Sequence, residues 1–271
     1  MGWQGGKKKK VDEVKELPKR EDFFKRGKDL VHTQGLKIMV WGPPSVGKSH
    51  FALSAPPPIF VLDTEFGSAP LLRHFPEKEI YIYEAAVLDE ESDEPDAEKS
   101  LRQIEIAIST LRDVETGTIV IDSGTDIWSW MGGWVEQEAR KRGKMTSADT
   151  PQRLEWGRAN LRWRQLILRL MAKPVHFVIT AQMTEEYDSK GQALGSYKPR
   201  IQKQTEHMCD IIIRLQKSYS KAAKKPKYDG TLTKCRFERS FDESIADVTF
   251  DKLCAVLKDK LGVVVKGGVI E

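Results

Sequence analysis

The stretch LKIMVWGPPSVGKS, residues 36 to 49, constrains this chain more than any other. An apolar run leads directly into a loop in which Gly42 and Gly47 bracket four residues, and Lys48 and Ser49 follow. A G-x-x-x-x-G-K-[ST] pattern set between a buried strand and a helix is a P-loop. Gly42, Pro43, Pro44, Ser45, Val46, Gly47, Lys48 and Ser49 therefore form a candidate phosphate cradle. In such a loop backbone N–H groups wrap the β-phosphate, the lysine reaches the β and γ oxygens, and the hydroxyl ligates Mg²⁺ at the start of the next helix. The expected ligands are ATP and Mg²⁺.

Beyond this loop, apolar runs alternate with helical patterns. Strands are expected at 36–41, 59–62, 79–83, 118–122 and 175–180, and helices at 47–54, 97–112, about 125–140 and 151–172. Late strands are expected at 210–216 and 231–241, with a closing amphipathic helix in TFDKLCAVLKDK. This alternation predicts an α/β fold, a mostly parallel central sheet flanked by helices with late antiparallel strands at its C-terminal side. Residues 1–34 read as a basic flexible arm, with one short helix near REDFFKRG. Residues 35–245 read as the core, and 246–271 as a C-terminal helix and tail. Residues 183–206 read as a long polar loop without secondary structure, a length that is unusual unless functional.

Composition narrows the class. With 271 residues, 39% of them hydrophobic, the chain can bury a sizeable core. Its three cysteines, Cys209, Cys235 and Cys254, are widely spaced and contain no C-x-x-C, which predicts neither a disulfide framework nor a zinc site. No run reaches membrane-spanning length, and MGWQGGKKKK lacks the apolar segment of a signal peptide, so a cytoplasmic protein is expected. The net charge is only +4, but it is blocked: KKKK at 7–10, ARKRGK at 139–144 and KAAKKPK at 221–227, against the acidic DEESDEPDAE.

The rest of a nucleotide site is legible downstream. TIVIDSGTDIW ends a β-branched run on Asp122, as a central strand delivers a carboxylate to the P-loop metal. IFVLDTEFG offers Glu65 at the end of strand 59–62, the strand after the P-loop helix, as the group that deprotonates or orients water. VHFVITAQ ends on Gln182, which can sense the γ-phosphate by hydrogen bonding.

Taken in order, the P-loop, LDTE, VIDS and ITAQ resemble the RecA/RadA recombinase ATPase core, especially its compact phage-encoded versions, the RecA-like single-strand annealing ATPases catalogued among phage AAA-family proteins. The resemblance covers about residues 35 to 245. It implies Glu65 as the catalytic glutamate, Asp122 as the Walker B acid and Gln182 as the switch between the γ-phosphate and a DNA loop. It also implies ATP hydrolysis at the subunit interfaces of a homo-oligomeric ring or filament, with Arg236 and Arg239 as trans-acting candidates. Phe23 and Phe24 would then serve as an intersubunit anchor, or else fold back beside strand 36–41. A host-cytoplasm location and a single-strand binding protein as partner follow from the same likeness. There is no separate DNA-binding domain, which favours annealing or loading over strand exchange.

In that core the DNA loops follow the Asp122 and Gln182 strands. Here the first holds Trp128, Trp130 and Trp134 leading into Arg140, Lys141, Arg142 and Lys144, and the second holds Tyr187, Tyr197, Lys198, Arg200 and Lys203. Aromatics beside cations suit a single-stranded DNA site, although the tryptophans fit a core helix face equally well. Trp156 and Trp163 read as packing on helix 151–172, and His176 as a satisfied core residue. Two other readings stay open: a P-loop small-molecule kinase, for which no compact arginine-rich lid is visible, and a non-catalytic ATP-gated module.

Overall fold

In the computed structural model, which describes residue 24 and residues 34–220, 224–266 and 269–270, β1 (Lys37–Gly42) is buried at every position. Met39 and Trp41 enter one apolar layer, and Ile38 and Val40 the other. The same division holds in β4 (Thr118–Asp122), with Ile119 and Ile121 opposite Val120, and in β5 (His176–Tyr187), with Phe177 and Ile179 opposite Val178. Side chains alternate between the faces of a strand, so a continuous apolar run is satisfied only inside a sheet covered on both sides.

The cover follows from the helices. On one face lie α2 (Ala97–Thr110), α3 (Gly124–Lys141) and α4 (Trp156–Met171), and on the other α1 (Lys48–Leu53) and α6 (Phe250–Leu261). Asp96 and Thr249 begin α2 and α6 by accepting bonds from Lys99 N and Lys252 N. The remaining strands are β2 (Ile59–Asp63), β3 (Ile80–Glu84), β6 (Ala193–Pro199), β7 (Ile211–Ser220), β8 (Lys225–Cys235) and β9 (Ser244–Ile245), with a short α5 (Gln204–Met208) and a small antiparallel pair, β10 (Val265–Lys266) and β11 (Val269–Ile270).

The main sheet runs β3-β2-β4-β5-β1-β7-β8-β9, parallel from β3 to β7 and antiparallel from β7 to β9. This is the expected α/β architecture, a mostly parallel central sheet flanked by helices with late antiparallel strands at its C-terminal side. The P-loop strand β1 is separated from the Asp122 strand β4 by β5, which carries Gln182. Because these strands are parallel, their C-terminal ends open on one edge, where ligands of open α/β sheets bind.

Four expectations need correction. Residues 183–206 are not a structureless loop: β5 continues to Tyr187 and pairs with β6 as a hairpin, and α5 follows. Both faces of the hairpin tip are solvated, so no apolar alternation marked it. The helix expected from 151 begins at Trp156, after a bridge between Met145 and Pro151. The strand expected at 231–241 lies at Lys225–Cys235. On α4, Trp163 and Leu170 are buried but Trp156, Leu161 and Leu168 are exposed, as is Leu154 before the helix, so packing explains only part of one of the two heptad series. Phe24 is exposed. Phe23, the KKKK block, the helix expected near REDFFKRG and residues 221–223 of KAAKKPK lie outside the described residues. Among the described residues no helix is long and apolar enough to cross a membrane.

Candidate nucleotide site

The P-loop needs glycine for two different reasons. A Cβ on Gly42 would sit 2.5 Å from the Leu215 carbonyl oxygen, so β1 can lie against β7 only without one. Gly47, the N-cap of α1, has φ 89°, a left-handed conformation that glycine adopts at little cost. Pro43 and Pro44 carry no N–H, so donors to an anion come from Ser45 onward, and the prolines fix the loop's course. Lys48 Nζ donates to the loop carbonyls of Pro43 (2.9 Å) and Gly42 (3.2 Å). Burial lowers its pKa, while Glu65 and Asp122 act in the opposite direction.

Asp122 is buried at the end of β4. Its Oδ1 accepts from Thr180 Oγ1 at 2.5 Å, and the Ser49 hydroxyl lies close enough to lower its pKa. Burial pushes its carboxyl above the usual range, and the two hydroxyls pull it back. One hydroxyl and one carboxylate, both hard oxygen donors, fit Mg²⁺, which keeps several waters and takes substrate phosphate oxygens rather than a full protein cage. Among the described residues no group of three or more His, Cys, Asp or Glu forms an alternative metal cluster.

Glu65 is held from two sides. The Asp63 carboxylate accepts from Glu65 N (3.1 Å), Gly67 N (3.4 Å) and Ser68 N (2.8 Å), which fixes the turn after β2. Glu65 Oε1 accepts from Gln182 Nε2 at 2.9 Å, so the two residues read separately from sequence meet directly. Gln182 is itself anchored: its N–H donates to Thr125 Oγ1 (2.9 Å), and that hydroxyl donates to the Arg200 carbonyl (2.8 Å). Arg200 N in turn donates to the Gln182 carbonyl (2.7 Å).

Sequence reading missed Thr64, Thr125 and Asp126. Asp126 Oδ2 accepts from Thr64 Oγ1 (2.7 Å) and Ser123 Oγ (2.8 Å), joining the residue before Glu65 to the residue after Asp122. Burial raises the Asp126 pKa, and nearby Glu65 adds to the rise. The only signal for it was the Asp four places beyond Asp122, which reads as ordinary helix-start chemistry.

These groups line a cleft of about 930 Å³ with Pro44 to Phe51 along its floor; Glu65, Asp122 and Gln182 stand on one side, and Leu215, Tyr228, Asp247, Val248 and Thr249 on the other.

The basic candidates divide. Arg140 pairs with Glu136 and Asp149, Lys141 with Glu138, and Arg142 with Glu155, so this cluster is largely neutralised by its own lobe; Lys144 is exposed. Lys198, Arg200 and Lys203 instead line a second groove of about 330 Å³ with Trp128, Trp156 and Thr184, and of these three cations Lys198 alone has a carboxylate partner among the described residues, Glu186 at 3.8 Å. The tryptophans of the first loop belong to the core layer. Trp130 is buried, Trp128 stands edge-on to Trp163 at 5.7 Å, and Trp134 packs beneath Arg158 and Arg162. Trp156, expected in the core, is partly exposed.

Arg236 pairs with Asp210 at 2.9 Å and donates to the His207, Met208 and Cys209 carbonyls. Those bonds tie its guanidinium to the C-terminal end of α5. Arg239 is exposed beyond β8.

Residues 34–237 match the family described as "AAA domain". No curated protein matches the chain. Among solved structures, a KaiC-like protein from the hyperthermophilic archaeon Pyrococcus horikoshii OT3 is similar at 14% identity and a TM-score of 0.43, over 79% of this chain and 85% of that one.

Proposed function

Since the chain belongs to the AAA-domain family and carries a P-loop ATPase core, we propose that it hydrolyses ATP with Mg²⁺ and that single-stranded DNA controls the rate, in annealing or recombination of the phage type. The observation that carries this reading is the continuity of β5. Gln182, bonded to Glu65, lies on the strand that runs on into a solvent-exposed hairpin, and the Thr125 and Arg200 bonds tie it to the groove wall. Exposed Tyr187 and Tyr197 together with Lys198, Arg200 and Lys203 supply the aromatic faces and cations that a single strand requires. A strand ordering this hairpin would move Arg200, and with it the amide that holds Glu65.

In the reaction Glu65 accepts the proton of the attacking water, and Lys48 balances charge developing on the β and γ oxygens. Mg²⁺, held through Ser49 and Asp122, would neutralise phosphate charge.

ATP turnover measured with and without single-stranded DNA tests the proposal directly: an unchanged rate at saturating DNA removes the DNA dependence. Replacing Lys198, Arg200 and Lys203 together with alanine should weaken DNA binding and flatten its log–log salt slope by about 2, from about 0.7 per single-strand phosphate contact. The corresponding change at Arg140, Lys141 and Arg142 should do less, because those cations already have carboxylate partners.

The reading also carries a homo-oligomer, with Arg236 and Arg239 as its trans-acting candidates and a single-strand binding protein as a further partner. Sedimentation with Mg·ATP tests the assembly, and a monomer of full activity removes it.

A further inference from the structure

The triphosphate end of the cleft leaves its other end to be explained. Glu65 just beyond β2, Asp122 at the end of β4 and Gln182 midway along β5 all lie on one side of β1 in the sheet, whereas Leu215 and Tyr228 belong to β7 and β8 on the opposite side. A nucleotide lying across the P-loop with its terminal phosphate beside Glu65 therefore directs its nucleoside toward Leu215, Tyr228 and Asp247–Thr249. The polarity comes from strand order alone.

The far wall is built to receive a flat, apolar group with one polar edge. Val248 packs down onto β8, where a Cβ on Gly230 would lie 2.7 Å from it, and Leu215 is fully buried beside it. The Tyr228 ring lines the cleft with these two. Asp247 lies next to Val248 with φ 47°, a left-handed conformation that Asp and Asn tolerate better than most residues. Its Oδ1 accepts from Tyr228 N at 3.1 Å, locking the carboxylate to the strand that carries the ring. The hydrogen bonds of the described residues use only that oxygen of the pair.

We infer that Tyr228, Leu215 and Val248 form a base subsite and that Asp247 makes it specific for adenine by accepting a hydrogen bond from the exocyclic amino group. This rests on the ATPase reading of the P-loop. Hypoxanthine carries a carbonyl oxygen where adenine carries the amino group, so a carboxylate held at that position meets a repulsive lone pair, and reaching the neighbouring N1–H would require the base to shift along the subsite. Asp247→Asn should keep both the left-handed turn and the bond to Tyr228 N while presenting N–H groups in place of the second oxygen, which reverses the preference.

Calorimetric affinities for Mg·ATP, Mg·ITP and Mg·tripolyphosphate separate the parts. The unaltered protein should bind ATP about tenfold tighter than ITP, the scale of one hydrogen bond to a charged group. Tyr228→Ala should weaken ATP about tenfold through lost stacking, Tyr228→Phe should not, and neither should change tripolyphosphate binding. Asp247→Asn should bring ITP level with ATP or ahead of it. Equal affinity of the unaltered protein for ATP and ITP, with tripolyphosphate still bound, overturns the subsite while leaving the phosphate site intact. Tripolyphosphate binding that is absent, or that survives Lys48→Ala unchanged, overturns the P-loop reading itself. The ATP to ITP ratio of the unaltered protein decides the matter even where a variant fails to fold.

Discussion

Glu65→Gln should bind Mg·ATP at least as tightly as the parent and hydrolyse it roughly 10²-fold more slowly or worse, the scale of a lost general base. The substitution is nearly isosteric. The turn stays fixed, because Asp63 holds it through the backbone N–H groups of residues 65, 67 and 68 rather than through the Glu65 side chain. The amide oxygen can still accept from Gln182 Nε2, so the link to β5 survives. What disappears is a group able to take a proton from water beside the γ-phosphate. Binding improves, if it changes, because a negative charge has left the neighbourhood of the triphosphate. Single-turnover hydrolysis combined with calorimetry checks both halves. Unchanged turnover would hand the base role to another residue or leave an ATP-gated module without chemistry, and weakened binding would mean that Glu65 holds the nucleotide rather than the water.

Glu65 and Gln182 also mark how far the sequence is legible. Each follows a buried run, and a run of apolar residues that stops at a polar one announces both the strand and the edge it faces; β1, β2, β4 and the buried half of β5 were readable for that reason. That the two side chains meet at 2.9 Å was not readable, because it depends on β4 separating β2 from β5 and on a turn set by Asp63. Thr64, Thr125 and Asp126 were invisible for a similar reason. A hydroxyl or carboxylate at a helix start looks like capping chemistry until the partner element is known.

Charge is harder to read than apolar pattern, because its partners come from elsewhere in the chain. Arg140 and Arg142 gave a convincing basic cluster, but Asp149 and Glu155, which neutralise them, reach them only once the segment between α3 and α4 has folded back through the Met145–Pro151 bridge. Lys198, Arg200 and Lys203 gave the weaker signal and form the better groove. The Leu154, Leu161 and Leu168 series shows the same limit from the apolar side: a seven-residue spacing names a helical face without saying whether that face is covered.

Acid should destabilise the fold through one residue far from the nucleotide. His176, the first residue of β5, is buried, with Nδ1 accepting from Leu36 N at 3.0 Å and the ring edge-on to Phe250 at 4.9 Å. The opposite nitrogen, Nε2, has no partner among the described residues. Burial, reinforced by the nearby Lys37 ammonium, depresses its pKa to about 4 from the ordinary 6.5. Between those values the unfolded chain takes up a proton that the native state refuses, so stability is full above about pH 6.5 and declines as the pH falls toward 4. One pKa unit corresponds to about 1.36 kcal/mol, which makes the loss from this site about 2 kcal/mol at pH 5 and about 3 kcal/mol at pH 4. Carboxylates titrate over part of the same range, so the isolating variant is His176→Gln, whose side-chain oxygen can accept from Leu36 N but takes no proton. It should be less stable than the parent at pH 7.5, where its amide is buried with spare polar groups, and should lose less stability on acidification. Urea unfolding at pH 7.5 and pH 5 measures the difference. If parent and variant lose stability equally between those two pH values, His176 is protonated in the folded protein, and the acid sensitivity of the sheet lies elsewhere.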